Sequence, residues 1–109
     1  MGVGPLGWED APRYATRWEE SWYLALERLG DDVEGVDRQL EHVYYRLERW
    51  PERYSYPAPR LSQTTRLTFA KVVRGFRLRV WYRIDEQAGV VPLLWVDVAP
   101  FDEGQDDPF

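Results

Sequence analysis

Ten consecutive residues constrain this chain more than any others. In Phe76-Arg77-Leu78-Arg79-Val80-Trp81-Tyr82-Arg83-Ile84-Asp85, apolar and polar side chains alternate almost without error. Phe76, Leu78, Val80, Tyr82 and Ile84 fall on one face, and Arg77, Arg79, Trp81, Arg83 and Asp85 on the other. A period of two over this length marks a strand with one side buried. Asp85 to Gly89 supplies a turn in which Gly89 is free to take a positive φ. The chain then returns through Val90 to Val98, apolar on both faces and therefore expected to lie inside the sheet. Gly75 to Val98 thus reads as a hairpin of two long strands.

The rest of the chain must cover that hairpin. Arg13 to Trp18 alternates and predicts a short first strand. Glu19-Glu20-Ser21 favours a helix start, with acidic side chains at the positive end of the dipole and Ser21 able to cap. Trp22, Ala25, Leu26 and Leu29 follow at helical spacing, and Gly30 ends the helix. Asp31-Asp32 opens a second helix, in which Val33, Val36, Leu40, Val43, Leu47 and Trp50 form one stripe that Pro51 terminates. The two helices form an antiparallel hairpin. Glu52 to Thr65 is rich in turn residues and reads as extended, polyproline-like backbone. Arg66 to Val73 is a further strand, with Leu67 and Phe69 on one side. His42 lies off the apolar stripe and reads as a solvated helix histidine.

The resulting order is strand, helix, helix and a three-strand antiparallel meander, an α+β domain of two layers. Residues 1–12, with Gly2, Gly4, Pro5 and Gly7, read as a flexible leader on which Leu6 and Trp8 could dock. Residues 13–101 form the single domain, and 102–109 an acidic tail. At 109 residues the chain can bury about two thirds of its unfolded surface without staples. With no Cys and one His, disulfides, thiolate sites and multi-His metal centres are excluded, and no cofactor is expected. No stretch has the length of a membrane span, so a cytoplasmic protein is the expectation. The net charge of -5 disfavours free nucleic acid as a partner.

The element order, Leu47-Glu48-Arg49-Trp50-Pro51-Glu52-Arg53, and above all the run from Arg74-Gly75-Phe76-Arg77 to Ile84-Asp85, resemble the RelE/ParE superfamily of toxin–antitoxin toxins. The resemblance spans about Tyr14 to Val98. It places the first strand at the centre of the sheet or as a parallel neighbour. It also implies a bacterial toxin held inactive by a small antitoxin protein. RelE-like members cut mRNA on the ribosome, whereas ParE-like members poison DNA gyrase. Arg77 matches the arginine that would contact the scissile phosphate and is the candidate catalytic residue. Thr68 and Ala70 fall where RNA-cleaving members carry lysines, with Lys71 adjacent. Pro100 and Phe101 stand near the positions of a further arginine and a tyrosine.

The cation set that would clamp a phosphate is therefore depleted, which favours a ParE-like toxin that binds a target protein. Lys71, Arg74, Arg79, Trp81 and Arg83 are the candidate binding strip, with Trp81 as an anchor. The bland alternative is a solvated face, with arginine stems over Trp81 and charges paired to Asp97 or Asp85. Other readings of the whole are a non-toxic binding module or homodimer on this scaffold, and a RelE-like endoribonuclease with an atypical site. An enzyme using Asp97 and Glu103 is a further one, although nothing fixes their spacing.

Overall fold

The structure, a computed structural model, describes residues 11–29, 35–53, 55–58, 60, 62–70 and 76–100. Its elements are β1 (Ala15–Trp18), α1 (Glu20–Leu29), α2 (Val36–Arg49), β2 (Ser55–Pro57), β3 (Arg66–Phe69), β4 (Phe76–Tyr82) and β5 (Val90–Pro100). The five strands form one mixed sheet in the order β1-β5-β4-β3-β2. β4 is antiparallel to β3 and to β5, as expected of a three-strand meander. Residues 1–10, 30–34, 71–75 and 101–109 lie outside the described residues, and with them most of the leader, the Asp31-Asp32 helix opening and the acidic tail.

Alternation in β4 sorts the two faces as its sequence predicts. Leu78, Val80 and Tyr82 are fully buried, while Arg77, Arg79 and Trp81 are half-buried on the opposite side. β5 brings Val91, Leu93 and Val96 to the same core. The register slips by one residue between Trp81 and Tyr82, where Trp81 pairs with Trp95 but Tyr82 with Leu93. That bulge keeps apolar residues inward on both sides of Leu94, although strict alternation along β5 would turn one set outward. The loop closes as anticipated: Asp85 and Val90 exchange backbone hydrogen bonds of 2.9 and 3.1 Å, and Gly89 takes φ 68.

The helices cover the core face. Trp22 and Ala25 from α1 and Leu40, Val43 and Leu47 from α2 are buried against the sheet. α2 stops before Pro51, whose buried carbonyl accepts a hydrogen bond from the Tyr82 hydroxyl. Arg46 on α2 also donates to the Phe69 carbonyl at 2.6 Å, so the helix is tied to both β3 and β4.

Several expectations change. β1 is the parallel neighbour of β5, one of the two positions the resemblance implies, and it lies at the sheet edge and not at the centre. The sheet is accordingly mixed, not purely antiparallel. Ser21 does not cap α1: the Glu19 carbonyl receives the first helical N–H groups, and the Ser21 hydroxyl donates instead to the Leu94 carbonyl at 2.5 Å. Gly35, which a helix opened at Asp31-Asp32 would include, sits just before α2 at φ 89. Three residues of the polyproline-like stretch, Ser55–Pro57, pair with β3 as a fifth strand. Leu67 and Phe69 share a face as expected, and it is the outer one; Thr68 and Ala70 take the core positions.

Candidate functional site

The outer face of the sheet is the surface that β4 builds with Arg77, Arg79, Trp81 and Arg83. Register places Phe69 and Asp97 on either side of Arg79, and Leu67 and Trp95 on either side of Trp81. Ala99 lies opposite Arg77. The helices pack on the other face, so these side chains form a layer of their own. The strip therefore exists as one contiguous row among the described residues. Lys71 and Arg74 lie outside them.

Each arginine in the row is held by the protein itself. Arg79 donates to both carboxylate oxygens of Asp97, at 2.8 and 3.1 Å, and its guanidinium lies 5.3 Å from the Trp81 ring centroid. Two parallel charge-assisted bonds fix that guanidinium in orientation and neutralise it locally. Arg77 stacks at 4.1 Å over the Phe69 ring, and its Nε and Nη1 are buried. Arg83 lies 3.9 Å from Glu19, which also binds Arg17 at 3.0 Å. Arg17 and Arg83 line an open groove of about 520 Å³ at the hairpin end, with Glu52, Asp85, Glu86 and Pro92 among its walls. The carboxylates of Glu19 and Asp97 thus subdivide what a sequence reading presents as a row of free cations.

No protein-family model matches the chain, and neither does any curated protein sequence. Among solved structures it is similar to a chain of the toxin–antitoxin complex RelBE2 from Mycobacterium tuberculosis. The two are 28% identical, with 82% of this chain and 93% of that chain covered, at a TM-score of 0.62. The chain belongs to the RelE/ParE superfamily.

In this RelE/ParE-superfamily chain the positions of Thr68 and Ala70 are informative. They are 1% and 2% exposed and face the core. A lysine at either would bury an ammonium among Leu78, Val80 and the helices, which is unfavourable without a partner. The depleted cation set is therefore compatible with how this register packs. His42 is exposed on α2, away from the arginine row. Arg79 is paired with Asp97 and its guanidinium lies near the Trp81 ring. The stack of Arg77 on Phe69 and the Arg17–Glu19–Arg83 cluster escaped the sequence reading. Both need the lateral order of strands, and the second needs β1 beside β5, which no periodicity in one strand encodes.

Proposed function

We propose that this chain is the toxin of a type II toxin–antitoxin pair, that a small antitoxin protein neutralises it, and that it acts by binding a target protein. The likeness to a RelBE2 chain supports the toxin assignment. The protein-binding mode rests on one observation: the central guanidinium of the arginine row is already engaged by Asp97 on two hydrogen bonds. Attack of an RNA 2′-hydroxyl on phosphate requires cations free to receive developing negative charge. Here a phosphate arriving at Arg79 meets a carboxylate first.

The test is induction of the chain in a bacterial host with and without coexpression of any small protein encoded beside it. Growth arrest relieved by coexpression, with ribosome-bound mRNA left uncut in primer-extension maps, is the expected outcome. Harmless accumulation at high soluble yield overturns the toxin reading. Arrest accompanied by codon-specific mRNA cuts overturns the protein-binding mode. That second result would favour a RelE-like nuclease with an atypical site. Arg77→Ala separates the two further, since its loss should abolish cleavage but change a protein contact only in part.

A further inference from the structure

The helix side carries a second open surface. β1 ends in Trp18, which is 40% exposed and meets Tyr23 of α1 edge-on at 5.2 Å and Tyr44 of α2 at 6.3 Å. Tyr23 and Leu24 are 55% and 52% exposed, although they adjoin the fully buried Trp22 and Ala25. Helical phase explains this: with Trp22, Ala25 and Leu29 turned to the core, Tyr23 and Leu24 belong to the opposite side. Three aromatic rings therefore make an apolar shelf shared by β1, α1 and α2, with Leu24 next to Tyr23 on the exposed side of α1.

Its rim is acidic. Glu20 and Glu27 stand one helical turn before and after the Tyr23–Leu24 pair, and Asp37 and Glu41 precede Tyr44 on its own face of α2. All four are exposed. Of the nearby cations, Arg17 binds Glu19 and Arg28 lies over the Trp95 ring, which leaves exposed Arg38 on α2 against four carboxylates. Aromatic faces carry negative quadrupoles, so shelf and rim select for the same sign of charge.

We infer that this shelf docks a basic amphipathic protein segment, one with Lys or Arg flanking apolar side chains. The apolar residues would cover Trp18, Tyr23 and Leu24 while the cations meet the carboxylate rim. A second copy of the chain is a poor occupant, because two such rims would repel. The inference does not depend on the toxin assignment, and a failed growth assay leaves it standing.

The test titrates a leucine–lysine amphipathic peptide, and its leucine–glutamate counterpart, onto the full chain while calorimetry and tryptophan fluorescence are read. The lysine peptide should bind about tenfold tighter or better, and Tyr23→Ser with Leu24→Ser should weaken it by about tenfold. Glu20→Gln with Glu27→Gln should weaken binding at low salt and have little effect at high salt. Glu86→Gln, at the hairpin tip, should leave it unchanged. Circular dichroism confirms that each variant folds. Equal binding of the two peptides overturns the inference, as does an unaltered affinity in the Tyr23/Leu24 variant. So does sedimentation showing a dimer that this variant dissociates.

Discussion

Gln39→Leu should make the protein more stable. Gln39 sits on α2 three residues after Val36 and four before Val43, within the row that faces the core, and is 4% exposed. Among the described residues neither its amide nitrogen nor its amide oxygen has a hydrogen-bond partner. A buried polar group left unsatisfied costs about 1–3 kcal/mol. Leucine removes both orphaned atoms and suits a helix at least as well. It has one heavy atom fewer, and the small void subtracts about 1 kcal/mol. A net gain of up to about 2 kcal/mol corresponds to a Tm rise of up to roughly 10 °C for a domain of this size. Thermal and urea melts of the wild type and variant measure it directly. Gln39→Ala, which removes the amide but leaves a larger void, should fall near the wild type. If Gln39→Leu melts below the wild type, the amide is satisfied in solution and the reasoning fails.

Four further expectations follow from the same geometry. Tyr82→Phe removes the donor to the buried Pro51 carbonyl and should cost about 1–3 kcal/mol in a urea melt; no change would mean that water replaces the hydroxyl. Burial pushes the Tyr44 hydroxyl up to about 12 and raises that of Tyr82 as well. Unfolded tyrosine ionises near 10, so stability should hold up to about pH 10 and then fall toward pH 12 as only the unfolded state loses these protons. A flat pH profile across that window refutes it. Asp97→Asn should change stability by less than about 1 kcal/mol, since the pair is partly exposed. It frees Arg79, however, and should strengthen salt-sensitive binding of a short single-stranded RNA; unchanged binding would show that Asp97 is no barrier. Gly89→Ala should cost about 1 kcal/mol from its φ of 68, because nothing lies within 4 Å of the added methyl group.

What the sequence discloses here depends on whether an element carries its own period. β4 announces both of its faces in ten residues, Gly89 marks the loop and Pro51 ends α2, because each signal is local. β2 has three residues and two prolines in its neighbourhood, too little for any period, and becomes a strand only because β3 offers an edge. Gln39 is polar and so reads as solvent-facing, yet the stripe around it carries it inward. Arg77, Arg79, Trp81 and Arg83 are legible as a shared surface. Their chemistry is not, since it depends on Asp97, Phe69 and Glu19, which strand order alone brings near.

The parallel pairing of Ala15–Trp18 with Val90–Leu93 joins the two ends of the described chain. Synthesis proceeds from the first strand, so β1 and the helix after it wait for nearly everything else before their neighbour arrives. Such distant pairing slows folding. It also means that a polypeptide interrupted before β5 lacks the scaffold on which β1, Ser21 and the aromatic shelf are set. Whatever docks on that shelf can then do so only after β5 has joined the sheet.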